Sequence, residues 1–258
     1  MNRINALFAG NNQRILSIYF CAGAPTVEGT RSVIETLQNN KVELIEIGIP
    51  FSDPMADGPV IQAAATQALH NGMTLKKLFE QLEGIRDTVH IPLVLMGYLN
   101  PVIQYGFENF CKDCQRVGID GVILPDLPFK DYEETFKDIA QRYDIKVIML
   151  ITPETSQERI HYIDEHTDGF IYMVSSAAIT GAQQSFNDAK MQYFKRIDDM
   201  NLRNPRMVGF GISNKETFDA ACTYARGGII GSLFVNLLDQ YKGDAQKAIS
   251  QLKKDISN

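Results

Sequence analysis

Glu43-Leu-Ile-Glu-Ile-Gly-Ile-Pro50 is an almost continuous apolar run with a single carboxylate, Glu46, in its interior. The two-residue period of a strand puts Leu44, Glu46 and Gly48 on one face. Seven more runs of the same kind follow or precede it: Ile15 to Phe20, Ile91 to Met96, Asp120 to Pro125, Lys146 to Ile151, Gly169 to Val174, Pro205 to Gly211 and Gly227 to Ser232. Most are apolar throughout rather than alternating, the pattern of parallel strands buried on both faces. Each is followed by a segment of helical period. Eight such units in a chain of 258 residues predict one closed (β/α)8 barrel of the TIM type. A doubly wound open sheet is the alternative, weakened by the number of strands and by the lack of a full G-x-G-x-x-G after the first.

Helix signals fall between the runs. Pro59 suits the first turn of a helix reaching about Asn71, with Gly72 as its exit. Thr155 with Glu158 and Ser213 with Glu216 have capping-box spacing, predicting the starts of the fifth and seventh barrel helices. A short extra helix is expected before the first strand. No linker-like stretch divides the chain, so residues 1–258 read as one domain. The longest start-to-start intervals follow strand 2 (43 to 91) and strand 6 (169 to 205), and extra chain of that kind often forms lids or binding loops.

A net charge of −6 with interspersed signs leaves no basic stripe for nucleic acid or anionic lipid. No stretch approaches the roughly 18 apolar residues of a membrane span, and residues 1–13 lack a signal-like apolar segment. A cytoplasmic protein acting on a small molecule or a protein partner is expected. Cys111 and Cys114 form a C-x-x-C, but with Phe107, Phe110 and Val117 they repeat at helical spacing, and no second pair completes a zinc site. They read as helix core. His70, His90, His161 and His166 are scattered outside any metal-binding frame, so no metal is expected.

Glu46 admits two readings. If its face points into the barrel, burial raises its pKa and makes it a proton donor and acceptor near neutral pH. Otherwise it pairs with a Lys, Arg or hydroxyl of a neighbouring strand. The loop that follows, Pro50-Phe-Ser-Asp-Pro-Met-Ala-Asp-Gly-Pro59, is stiffened by three prolines and a glycine, and could fix Asp53 and Asp57 in place. Asp57 before Gly-Pro could equally be a turn or helix-start aspartate.

In the last third, Thr180-Gly181 follows strand 6, Gly209-Phe-Gly-Ile-Ser213 closes strand 7 and Gly231-Ser232 closes strand 8. Glycines at three adjacent strand ends let backbone N–H groups approach an anion, and barrels often bind phosphate after strands 7 and 8. A phosphate site at loops 6, 7 and 8 is expected. It is not a P-loop, since no G-x-x-x-x-G-K-[ST] occurs.

Together these segments resemble the tryptophan synthase alpha family. The stretch Glu46-Ile-Gly-Ile-Pro-Phe-Ser-Asp-Pro-Met-Ala-Asp-Gly-Pro59 is similar to the family's signature. Further likeness lies in Ala22-Gly23 with Pro25, Met96-Gly-Tyr-Leu-Asn-Pro101, Pro125-Asp-Leu-Pro128, Tyr172 with Ile179-Thr-Gly-Ala182, Gly209-Phe-Gly-Ile-Ser213 and Gly231-Ser232. The likeness covers nearly the whole chain. Cys21, Ala178 and Leu233 depart from the family's usual residues.

The resemblance implies a lyase of tryptophan biosynthesis that cleaves indole-3-glycerol phosphate, by a retro-aldol reaction, into indole and glyceraldehyde 3-phosphate. It implies Glu46 as the catalytic glutamate and Asp57 as the aspartate that binds the indole nitrogen. Tyr19, Tyr98, Ile123, Tyr172 and Phe210 fall on the substrate pocket, with Thr180 on the mobile loop after strand 6. Gly181, Gly211, Gly231 and Ser232 fall on the phosphate site. It further implies no cofactor in this chain and a beta subunit carrying pyridoxal phosphate, in an alpha2-beta2 heterotetramer. Asp53 and Pro54 would lie at that contact, where ligand occupancy is signalled. Two rivals are another phosphate-binding barrel enzyme and a barrel kept chiefly as an allosteric subunit.

Overall fold

The computed structural model describes residues 1–175 and 186–257. Its strands are β1 (Ile15–Cys21), β2 (Leu44–Gly48), β3 (Leu93–Met96), β4 (Gly121–Ile123), β5 (Lys146–Ile151), β6 (Ile171–Val174), β7 (Arg206–Gly209) and β8 (Gly227–Ile230). They pair in chain order into a closed, wholly parallel barrel, with β8 returning to β1 through Ile15↔Gly227. Every residue of β1, β2, β3, β4, β6 and β8 is buried. Burial on both faces is what the unbroken apolar runs required. The ladders are shorter than those runs because the ends turn away. Gly169 has a φ of +107° and Phe210 one of +70°, and Ser232 already belongs to the helix Ser232–Gln240.

The helix Pro59–His70 has Pro59 in its first turn, and Gly72 follows it at a φ of +82°, as expected. Phe107–Val117 is a helix whose buried side includes Cys111 and Cys114, so the C-x-x-C is core. The two expected caps are each off by one residue. Ser156, not Thr155, accepts from Arg159 N at the start of Gln157–His166, while Thr155 Oγ1 closes a turn by accepting from Thr152 N. Asn214, not Ser213, opens Lys215–Tyr224, in a reciprocal box with Thr217.

A short N-terminal helix, Arg3–Ala9, packs across the foot of the barrel through Ile4 and Phe8. Asn2 Nδ2 donates to the carbonyls of Asp120 and Asp144, and Asp120 is paired with both Arg3 and Arg86. These contacts close the N-terminal end, which leaves the C-terminal strand ends as the open mouth of the fold.

Candidate active site

Glu46 sits on β2 between Tyr19 of β1 and Val94 of β3 in the strand register. It is fully buried and its carboxyl points inward. Among the described residues no cation pairs with it. Its one hydrogen bond there is from the Ser17 hydroxyl to Oε1 at 3.4 Å, and Oε2 is buried without a partner. Burial pushes the carboxyl up to about 8, the Ser17 hydroxyl pulling the other way. The structure combines parts of the two readings the sequence left open: the acid is desolvated and lines the cavity, and its one partner is a hydroxyl of the neighbouring strand β1, with no Lys or Arg paired to it among the described residues.

Asp57 comes from the loop after β2. Its backbone N–H closes a turn onto the Pro54 carbonyl at 3.1 Å. Gly58, not Asp57, is the N-cap of the next helix. The carboxylate is therefore free of a capping role, and Oδ2 instead accepts from the Tyr98 hydroxyl at 2.9 Å. That hydroxyl in turn accepts from Ala56 N at 3.0 Å, tying the loop to the segment after β3. Burial raises Asp57 to about 6, against the Tyr98 hydrogen bond.

Both carboxyl groups line one cavity. Its walls include Tyr19, Tyr172 and Phe210, the last two in edge-to-face contact with ring centroids 5.9 Å apart. Each tyrosine lies over a glycine of a neighbouring strand. A Cβ on Gly48 would stand 2.2 Å from the Tyr19 hydroxyl, and one on Gly209 would stand 2.1 Å from that of Tyr172. Burial raises both phenols above their usual range, so they stay neutral.

At the other end of the cavity are Gly211, Gly231, Ser232 and Leu233. Gly231 is the N-cap of Ser232–Gln240, and the first N–H groups of a helix have no partner within it. Phe210 and Gly211 both take left-handed backbone, at φ of +70° and +83°. Ser175 donates to the Phe210 carbonyl at 2.5 Å and holds that turn against the end of β6. Backbone donors at a helix start suit a phosphate. Thr180, Gly181 and Ala178 lie outside the described residues.

The remaining expected residues divide. Tyr98 lines a narrower adjoining cavity with Phe51 and Pro54, which shares Tyr19, Asp57, Ile61 and Met96 with the first. Ile123 lines neither of these two cavities. It is fully buried on β4, paired in register with Met96, and Met96 takes the wall there. Asp53 is exposed and bonded to Ser52, Pro54 is partly exposed, and Met55 between them and Asp57 is 87% exposed. Cys21 is buried and turned to a separate groove. Sequence reasoning missed Ser17, Ile61, Met96, Ile212 and Ile229. For Ser17 a signal existed, since it shares the face of Tyr19. Ile61 follows Asp57 by one helical turn. The other three are aliphatic residues that look alike in a core and in a pocket wall.

Among the described residues no group of His, Cys, Asp and Glu could hold a metal ion, and no helix is long and apolar enough to cross a membrane.

Residues 6–258 match the family model described as tryptophan synthase alpha chain. The chain is 67% identical to the tryptophan synthase alpha chain of Phocaeicola vulgatus, over all of both chains. Its fold is similar to the crystal structure of that subunit from Legionella pneumophila, with a TM-score of 0.87 at 32% identity, covering 100% of this chain and 98% of the other. A chain of the Pyrococcus furiosus tryptophan synthase complex is matched at a TM-score of 0.84 and 32% identity, over 95% and 97% of the two chains. A barrel with two buried carboxyls at its mouth, matched in sequence from end to end, thus belongs to the tryptophan synthase alpha chain family.

Proposed function

We propose that this barrel cleaves indole-3-glycerol phosphate to indole and glyceraldehyde 3-phosphate, with Glu46 as the proton-transfer group and Asp57 as the partner of the ring N–H. The observation that carries the assignment is the pair of carboxyls in one cavity, one held near 8 and the other near 6 by burial. At neutral pH the first keeps its proton and the second has lost it. Environments that separate two acids in this way mark out donor and acceptor.

The chemistry follows from that separation. An indole carbon is a poor leaving group, so neutral Glu46 protonates C3 and the ring becomes an electron-poor indolenine. Asp57, as a carboxylate, accepts the hydrogen bond of the ring N–H and stabilises the positive charge that develops there. The Glu46 carboxylate then takes the proton of the glycerol hydroxyl next to C3. The carbonyl forms, the C3–carbon bond breaks, and its electron pair restores the indole. Glu46 ends as it began, and the ring itself is the electron sink. Gly211, Gly231 and Ser232, with Gly181 of the loop after β6, bind the phosphate far from the breaking bond and supply remote binding energy. Tyr19, Tyr172 and Phe210 hold the ring and glycerol chain, Tyr98 sets Asp57, and Thr180 belongs to the loop that covers the ligand.

The partner that fits is a tryptophan synthase beta subunit, in an alpha2-beta2 assembly whose pyridoxal phosphate belongs to the beta chain. The surface that fits it is the loop of Asp53 and Pro54, where Met55 is exposed to 87%.

The test is single-turnover cleavage of indole-3-glycerol phosphate by the purified chain. Glu46→Gln is expected to lower the rate at least about 10²-fold with phosphate-ligand binding retained, the range for a lost general acid or base. Asp57→Asn is expected to be slower with the same binding retained. Near-normal cleavage by Glu46→Gln would remove that residue from the role, and a folding defect in Asp57→Asn would return Asp57 to a turn residue.

A further inference from the structure

Ser17 stands one step of the strand repeat below Tyr19 on β1, is completely buried, and sends its hydroxyl to Oε1 of Glu46. This is the only hydrogen bond to that carboxyl among the described residues, and Oε2 has none. Burying a carboxyl with one oxygen unpaired is costly unless a ligand completes it.

We propose that Ser17 is a positioning residue for the reaction, holding Oε1 so that Oε2 is the oxygen offered to the substrate, and tightening its hold when Glu46 becomes a carboxylate. The inference rests on the reading of Glu46 as the proton-transfer group. At 3.4 Å the contact is longer than the roughly 2.7–2.8 Å usual between a hydroxyl and an oxygen acceptor. Hydrogen bonds to a charged acceptor are shorter and about twice as strong. A hydroxyl waiting beside a neutral acid therefore gives more to the carboxylate left after the proton has gone to C3 than to the resting state. That is stabilisation where the reaction needs it.

Among the described residues no other hydroxyl or N–H is bonded to Glu46. The groups that face it are the neutral phenols of Tyr19 on β1 and Tyr172 on β6, and Asp57 of the following loop. On its other side β3 offers only Leu93, Val94, Leu95 and Met96. No Lys, Arg or His lines the cavity among the described residues.

The experiment compares the wild-type chain with Ser17→Ala, Ser17→Thr and Glu46→Gln, measuring kcat, KM and the pH profile of kcat/KM on indole-3-glycerol phosphate, with thermal melts alongside. Ser17→Ala is expected to keep KM within about twofold, because the ground-state contacts to substrate are untouched. Its kcat should fall about threefold to tenfold, and its alkaline limb should move up by about half a pH unit to one pH unit, as a lost hydrogen bond to the charged form requires. Ser17→Thr restores both. Should the melts show that the shorter Ala side chain loosens the barrel, Ser17→Cys is added, which fills the site with a weaker donor and gives a smaller shift of the same sign. A Ser17→Ala chain with wild-type kcat and an unmoved limb overturns the proposal, as does a rate defect that Thr does not rescue. Wild-type turnover by Glu46→Gln would instead overturn the acid assignment itself, so the two failures are told apart.

Discussion

The Tyr98 hydroxyl donates to Asp57 Oδ2 at 2.9 Å while accepting from Ala56 N at 3.0 Å, so one phenol fixes both the carboxylate and the backbone beside it. The Phe51 ring packs on Tyr98 at 5.4 Å between centroids, which holds the phenol in place. The loop that carries the proposed ring-binding carboxylate is thereby anchored to the segment after β3 as well as by its own turn onto Pro54.

The pH profile of kcat/KM follows from the two raised carboxyls. Asp57 must be charged, so activity is lost as pH falls through about 6. Glu46 must hold its proton, so activity is lost as pH rises through about 8. The free enzyme's profile is therefore expected to be a bell between these values. In Tyr98→Phe the hydrogen bond that lowers Asp57 is gone, and the acid limb moves up while the alkaline limb stays. Initial rates on indole-3-glycerol phosphate from pH 5 to 9 check both. An acid limb that stays in place after the substitution would show that Tyr98 does not tune Asp57.

The strands were legible because both of their faces are buried, which leaves the same apolar signature wherever the run falls. What was not legible depends on which way the chain turns. Thr155 and Ser156, like Ser213 and Asn214, are adjacent residues that can all cap, and only the folded path chooses Ser156 and Asn214. The direction of the Glu46 side chain was open for the same reason, since period two gives a face but not its sense. Ile123 and Met96 are neighbours in register, and only one of them reaches the cavity. The resemblance singled out the one that does not.

Gly48 is where the substrate pocket depends on an absent side chain. A methyl group there would stand 2.2 Å from the Tyr19 hydroxyl and 2.7 Å from its Cζ, so the phenol has to leave its place. Gly48→Ala is expected to fold, at a cost of about 1–3 kcal/mol for overpacking. Its kcat/KM should fall by at least about tenfold, because small displacements of a positioning wall are expensive. In a Tyr19→Leu background the added methyl should cost little, since residues in contact are not additive. Additive losses in the double variant would mean that Gly48 matters for some reason other than Tyr19.

The desolvated acid also carries a stability consequence whose sign is fixed. Glu46 has a folded value near 8 against an ordinary value of 4.5, so between these the native state binds a proton that the unfolded chain releases. Its contribution is therefore fully present below about 4.5 and is lost as pH rises through about 8. Gln at this position is neutral at every pH and escapes that loss. Glu46→Gln should thus be more stable than wild type at pH 8 by at least about 1 kcal/mol relative to their difference near pH 4.5, since a tenfold change in proton affinity is worth about 1.4 kcal/mol. Asp57, raised in the same direction, keeps a shallower slope in the variant. Denaturant unfolding of both chains at pH 5 and pH 8 measures the difference. Parallel pH dependences would mean that Glu46 is charged in the native state, and an acid already ionised has no proton to give to C3.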